Sequence, residues 1–213
     1  NKGYKESQYL LGVIFYEAKY VKRDIKKAIH YFTLASNQNH PFAHHELGAT
    51  YYNGIYVARD INKAIYYFTL ASNQGCKYTD YTLGVIFYKA KYVTRDINKA
   101  IHYFTLAADQ NYECAQHALG KIYYKAKYVA RDMNKAIHYL TLASNQNYSK
   151  SQYILGKIYS DGEYITRDMN KAIHYLLLAS NQNDGRAQYT LGYIYYIGEY
   201  IERDINKAIH YFT

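Results

Sequence analysis

The sequence predicts an all-α solenoid of tandem helix-turn-helix units, and three motifs held in phase carry that prediction. Leu-Gly stands at Leu11-Gly12, Leu47-Gly48, Leu83-Gly84, Leu119-Gly120, Leu155-Gly156 and Leu191-Gly192, each copy 36 residues after the last. Arg-Asp keeps the same interval at Arg23-Asp24, Arg59-Asp60, Arg95-Asp96, Arg131-Asp132, Arg167-Asp168 and Arg203-Asp204. A Lys-Ala-Ile-(His/Tyr)-Tyr block begins at Lys27, Lys63, Lys99, Lys135, Lys171 and Lys207. Three blocks in register along the whole chain exclude chance, and a fixed period of this size marks stacked supersecondary units. The units run at about 4–39, 40–75, 76–111, 112–147, 148–183 and 184–213, and residues 1–213 read as a single array.

Residues 7–39 serve as the type unit. Ser7, Leu11, Ile14, Phe15 and Ala18 recur at i, i+4, i+7, i+8 and i+11, the apolar stripe of an amphipathic helix, here called helix A and placed at about 5–18. After a short connection, Asp24 opens helix B, because its carboxylate can accept the free amide hydrogens of the first turn. Helix B runs from Ile25 to about Gln38 with Ala28, Ile29, Phe32 and Ala35 on its buried face. Asn39, Gly75, Asn111, Asn147 and Asn183 close the units, since Asn and Gly best tolerate the left-handed conformation at a helix end. Gly12 and its copies fall mid-helix, where glycine costs about 1 kcal/mol relative to alanine. Repeating that cost six times requires close approach by a neighbouring helix, which a Cβ would block.

Composition limits the function classes. Apolar residues make up 49% of the chain, enough for a continuous core. No apolar run approaches the roughly 18 residues that span a bilayer, so no membrane insertion is expected. The sequence opens at Asn1 and stops at Thr213 inside a second helix, so it reads as part of a longer protein with a truncated sixth unit. The two cysteines, Cys76 and Cys114, form no disulfide framework and no zinc spacing, and as ordinary thiols they favour a reducing, cytoplasmic setting. A net charge of +9 is spread through the units and favours acidic partners. Tyrosine is the outlier, with 31 residues and no tryptophan.

The motif order resembles the Sel1-like repeat family, a relative of the tetratricopeptide repeat. The second unit matches at Ala43, Leu47-Gly48, Tyr51, Gly54, Val57, Asp60, Lys63-Ala64, Tyr67, Ala71-Ser72 and Gly75. Two positions depart from the family pattern. Its second connection glycine is tyrosine throughout, at Tyr20, Tyr56, Tyr92, Tyr128, Tyr164 and Tyr200. Its first is glycine at Gly54, Gly162 and Gly198 but alanine at Ala18, Ala90 and Ala126, which points to an altered loop conformation. The resemblance implies a right-handed superhelix with helix A on the concave side, acting as an adaptor that holds peptides or folded partners. In tetratricopeptide-like arrays the concave face uses helix A positions equivalent here to Tyr9, Val13, Tyr16 and Glu17. Spacing agrees, because 9, 13, 16 and 20 form a second stripe distinct from the core stripe.

The first position of that stripe reads Tyr9, His45, Tyr81, His117, Tyr153, Tyr189, and the third Tyr16, Tyr52, Tyr88, Tyr124, Ser160, Tyr196. Lys121, Lys157 and Tyr193 lie between them, and Lys89 and Lys125 alongside. The expectation is a tyrosine-lined groove with a basic centre that takes an acidic protein segment, for which rings with polar tips are well suited. The alternative is that the tyrosines pack neighbouring helices together and the lysines solvate a face. Two other roles remain in view: a docking or spacer region of a larger enzyme such as a protein kinase, and nucleic-acid binding through interleaved Tyr and Lys. The second is disfavoured because arginine is almost confined to Arg-Asp pairs. Exposed apolar faces at the array ends predict end-to-end self-association.

No catalytic residue, metal site or cofactor is expected. Equivalent members of the ladder His30, His102, His138, His174 and His210 stand roughly 10 Å apart by helix packing, whereas zinc ligands converge to about 2 Å. Six identical aspartates at helix starts are a structural signature, since an active site is one irregular constellation. Arg23 and its copies are placed to bridge to carbonyls or to the neighbouring repeat.

Overall fold

The computed structural model describes residues 4–19 and 21–213, and it is helical with no strand among them. Tyr20 lies outside the described residues. The chain divides into two compact units, Asn1–Gln110 and Asn111–Thr213. The first holds α1 (Lys5–Glu17), α2 (Ile25–Ser36), α3 (Pro41–Asn53), α4 (Ile61–Ser72), α5 (Lys77–Lys89) and α6 (Ile97–Asp109). The second holds α7 (Glu113–Lys125), α8 (Met133–Asn145), α9 (Ser149–Asp161), α10 (Met169–Ser180), α11 (Gly185–Ile197) and α12 (Ile205–Phe212). Odd-numbered helices are the A helices and even-numbered ones the B helices. Each A packs on its own B, and α2·α3, α4·α5, α8·α9 and α10·α11 join one repeat to the next.

Sequence chemistry accounts for each boundary. Asp24, Asp60, Asp96, Asp132, Asp168 and Asp204 cap the B helices, each accepting the backbone N–H three residues on at 2.9–3.0 Å. That hydrogen bond is the leading reason the carboxyls of Asp24, Asp96, Asp168 and Asp204 sit below their ordinary range. Asn39, Gly75, Asn111, Asn147 and Asn183 all adopt positive φ, as their residue types foretold. The A helices end one residue earlier than the sequence pattern placed them. Ala18, Gly54, Ala90, Ala126, Gly162 and Gly198 are left-handed caps with φ of 52–66°. The alanine connections therefore share the glycine conformation, contrary to expectation, and carry the strain of a Cβ there.

Packing explains the mid-helix glycines. A Cβ on Gly12, Gly48 or Gly84 would lie 2.4–2.6 Å from the ring of Phe32, Phe68 or Phe104, and on Gly120 or Gly156 2.6 Å from Leu140 or Leu176. Leu47, Leu83, Leu155 and Leu191 are fully buried between repeats, and Leu119 on α7 is fully buried. The type unit misleads here. Leu11 and Ile14 are 37% and 43% exposed, because that edge of helix A is covered by the preceding repeat's helix B in α3, α5, α9 and α11.

Tyrosine has two structural uses. Phe15–Tyr31, Tyr51–Tyr67, Phe87–Tyr103, Tyr123–Tyr139, Tyr159–Tyr175 and Tyr195–Tyr211 stack nearly parallel at 5.8–6.3 Å, joining A to B within a repeat. The connection tyrosines bind repeats together. Arg131 donates from Nε to the Tyr124 carbonyl at 3.2 Å and lies 3.5 Å from the Tyr164 ring centre. Arg167 donates to the carbonyls of Ser160 and Asp161 and sits 3.6 Å from the Tyr200 ring centre. Arg59 repeats the arrangement with Tyr52, Asn53 and the Tyr92 ring. One guanidinium thus caps the C-terminal end of its own helix A and holds the next repeat by a cation–π contact.

Candidate partner-binding site

In the first unit the predicted ring residues lie half-buried, and Tyr9, Tyr16, His45, Tyr81 and Tyr88 pack on the aromatic core residue of their own helix B. Tyr9 is 6.0 Å from Phe32 and stacks on His40 at 4.5 Å. Tyr16 flanks Phe32 and meets Tyr56 edge-on at 6.4 Å, and Tyr52 meets Tyr92 edge-on at 5.6 Å. Tyr81 and Tyr88 flank Phe104 at 5.6 and 6.5 Å. His45 packs on Phe68, and its Nδ1 is hydrogen-bonded to Thr79 Oγ1 at 2.8 Å. Burial raises the Tyr9 phenol and holds His45 below the usual imidazole range. These side chains pack the repeats, and each keeps an edge toward solvent.

The second unit carries more open surface. Tyr124 lies against the Leu140, Leu155 and Ile158 cluster, which raises its phenol, and Tyr153 sits under the Arg186 guanidinium at 4.5 Å. Tyr189, Tyr193 and Tyr196 on α11 are 64%, 52% and 48% exposed. His117 Nδ1 is hydrogen-bonded to Ser151 Oγ at 2.9 Å. Burial, then the charges of Lys121, Lys150 and Arg186, bring its imidazole down to about 4. Lys121 is lowered by desolvation and then by Lys125, Lys150 and Arg186.

The basic centre therefore differs in membership from the sequence cluster. Lys89 belongs to the first unit, and Lys157 is offset by Asp161 at 3.3 Å. Lys150 and Arg186 join Lys121 and Lys125 in their place. A signal for them was present, because positions 150 and 186 are one period apart and both basic. Lys157, Tyr189 and Tyr193 also line a cleft of about 510 Å³ in this unit.

The other sequence candidates have structural surroundings. His30, His102, His138, His174 and His210 are exposed, each edge-on to the following tyrosine at 5.0–5.3 Å. His40 caps α3 through Nδ1, and buried His44 shares a 2.8 Å hydrogen bond with Ser36. Among the described residues no three His, Cys, Asp or Glu side chains are grouped to hold a metal, and no helix is long and apolar enough to cross a membrane.

Comparison with known proteins places this arrangement. The Sel1 repeat pattern matches residues 5–40, 41–76, 81–112, 115–148, 149–184 and 185–213. A protective antigen of uropathogenic Escherichia coli strains with an SLR fold superposes with a TM-score of 0.92 at 25% identity, over 99% of this chain and 45% of that one. The chain thus spans less than half of the antigen's length. A Sel1 repeat protein from Oxalobacter formigenes gives 0.80 at 27% identity, over 98% of this chain and 85% of that one. An immunity protein from Pseudomonas aeruginosa shares the fold at 21% identity with a TM-score of 0.52, over 98% of this chain and 79% of that one. No curated protein matches the sequence. Sel1 repeats generally mediate protein–protein interaction, and the proteins built from them are typically non-catalytic scaffolds. With six matched repeats and twelve helices among the described residues, the chain belongs to the Sel1 repeat family.

Proposed function

We propose that the chain is one non-catalytic interaction array whose helix A face in the second unit receives an acidic segment of a partner protein. The observation that carries this reading is the gathering of Lys121, Lys125, Lys150 and Arg186 around a partly buried ammonium. Among the described residues, Arg186–Asp184 is the only ion pair these four make. Like charges held together are relieved by an incoming carboxylate, and attraction of this kind steers encounter and selects against basic partners. Tyr124, Tyr153 and Tyr189 supply rigid contact area beside the charges. Free Cys76 and Cys114 fit a cytoplasmic place of action.

The test is titration of a fluorescent peptide of alternating Glu and Tyr into the chain over a salt series, alongside an oligothymidylate. Saturable peptide binding that weakens with salt, and at least tenfold in Lys121→Glu/Lys125→Glu, is expected from two reversed charges (roughly 1.4 kcal/mol per tenfold). Unchanged affinity in the variant would refute the basic face. Tighter, more salt-sensitive binding of the oligothymidylate would replace a protein partner with a single strand.

A further inference from the structure

The second unit contains two clefts built from residues one period apart. The first, about 10 Å³, is lined by Tyr124, Met133, Ile158, Asp161, Glu163 and Tyr164. The second, about 510 Å³, is lined at the corresponding positions by Ser160, Met169, Ile194, Ile197, Glu199 and Tyr200. Four of the six pairs are identical. Of the two changes, Ser160 removes an aromatic ring and Ile197 puts an apolar wall where Asp161 had a carboxylate. Ser160 turns its hydroxyl to the Lys157 carbonyl at 3.0 Å, so it satisfies itself on its own helix. In the first unit the ring at this position makes an edge contact with the next repeat's connection tyrosine, as in Tyr16–Tyr56 and Tyr52–Tyr92. The fold itself shows what fits the opening: one aromatic side chain, edge-on to Tyr200.

The charges beside the cleft select among aromatic segments. Lys157 is paired with Asp161, and Arg167 is occupied by the Tyr200 ring and two carbonyls. Glu163 and Glu199 line the same cleft and make no ion pair among the described residues. We infer that the cleft between α9 and α11 seats an aromatic side chain of a partner polypeptide, with a lysine or arginine of the same segment beside it at Glu163 and Glu199. This deepens the reading of the helix A face as a partner surface and does not depend on the basic patch. An aromatic anchor in a preformed pocket is the usual source of most of an interface's binding energy.

The test uses tyramine, a phenol with a cationic amine, and 3-(4-hydroxyphenyl)propionate, the same ring with a carboxylate. Binding is read from the methyl resonances of Met169, Ile194 and Ile197 in the 213-residue chain. The expected result is a saturable tyramine shift, with the propionate about fivefold weaker or more, which is roughly the effect of one favourable charge contact. Ser160→Tyr, which restores the ring found in the five other repeats, should weaken tyramine at least tenfold, a change of about 1.4 kcal/mol. Glu163→Gln/Glu199→Gln should bring the two probes to similar affinity. The inference is overturned if tyramine gives no saturable shift, or if Ser160→Tyr binds it as the parent does. Circular dichroism and the acidic-peptide titration on the same variant separate the readings. A folded Ser160→Tyr protein that loses tyramine and keeps the peptide supports the anchor cleft, whatever the outcome at Lys121.

Discussion

Mild acid should destabilise this protein, and His117 is the group to follow. Its imidazole is held at about 4 in the folded chain against an ordinary value of 6.5, by burial and then by Lys121, Lys150 and Arg186. A histidine depressed by folding stabilises the native state above its unfolded value, and that stability is lost as pH falls through the folded value. The full difference of about 2.5 pH units corresponds to roughly 3 kcal/mol, of which roughly 2.5 kcal/mol is gone by about pH 4.5. His40, His44 and His45 are also depressed by burial and act in the same direction. Asp80 and Glu46, raised by burial, oppose them.

A comparison of two proteins isolates the effect. His117→Tyr installs the residue found at the same repeat position in Tyr9, Tyr81, Tyr153 and Tyr189, and removes the titration. Urea unfolding at about pH 7 and about pH 4.5 should show the parent losing roughly 2–3 kcal/mol more than the variant. The imidazole resonance assigned by that substitution should titrate near 4. Lys121→Glu should move it upward, because a neighbouring cation becomes an anion. A midpoint at or above about 6, or equal pH dependence in the two proteins, would refute the linkage.

Asp80 is buried at 1% exposure, accepts from Ser72 and Gln110, and makes no ion pair among the described residues. Its stabilising contribution is complete below the ordinary 3.8 and is lost as pH rises through its raised folded value, so Asp80→Asn should raise the free energy of urea unfolding at neutral pH by about 1–2 kcal/mol and not at low pH. Gly120→Ala should cost about 1–3 kcal/mol, since the new Cβ meets both Leu140 and the Ala136 carbonyl. Ala126→Gly should instead gain about 0.5–1 kcal/mol by relieving the left-handed cap, and thermal melts of the pair give opposite signs. Arg131→Met should lower stability by about 1 kcal/mol through the lost carbonyl and Tyr164 contacts, and Arg131→Lys should not restore it, because an ammonium lacks the planar fork. Leu10, Leu11 and Ile14 on α1 and Ile205, Ile209 and Phe212 on α12 leave apolar faces exposed, so the chain should associate with rising concentration; light scattering that reports a strict monomer would refute this.

Most of the fold was legible because helix and cap signals are local and were repeated six times. Asp24 caps the helix three residues away, and Asn39 carries its own preference for positive φ. Gly12 was readable as a close approach and Phe32 as a buried residue of helix B, although no pattern paired the two. What escaped notice lay between repeats. Leu11 has the same sequence surroundings as Leu47, yet one is exposed and the other buried, because the covering helix belongs to the previous unit. The bridge from Arg23 to carbonyls or the neighbouring repeat was anticipated, but its partner Tyr56 lies 33 residues on, and a pattern confined to one unit does not connect the two. Their joint recurrence in every unit was the available clue.

The candidate site was less legible, and the cause is physical. Tyrosine serves here as stacking partner, seam and surface, so its abundance does not say which rings are free to bind. Phe15 replaces Tyr51 in the stacked pairs without changing the geometry, which shows that those positions require a ring and not a hydroxyl. In an array with one backbone plan, a uniform position answers to the stacking that every unit shares. A position that departs from its copies answers to something local. Ser160 departs by losing a ring, and Ile197 departs by placing an apolar side chain where Asp161 has a carboxylate, and both line the same cleft. Lys150 and Arg186 depart together by gaining charge where Phe42, Tyr78 and Cys114 stand in earlier repeats. Both departures fall in the second unit, on the face where the rings are most exposed. That coincidence is the physical reason to look for the partner there, with its acidic residues toward Lys121 and its aromatic residue toward Ser160.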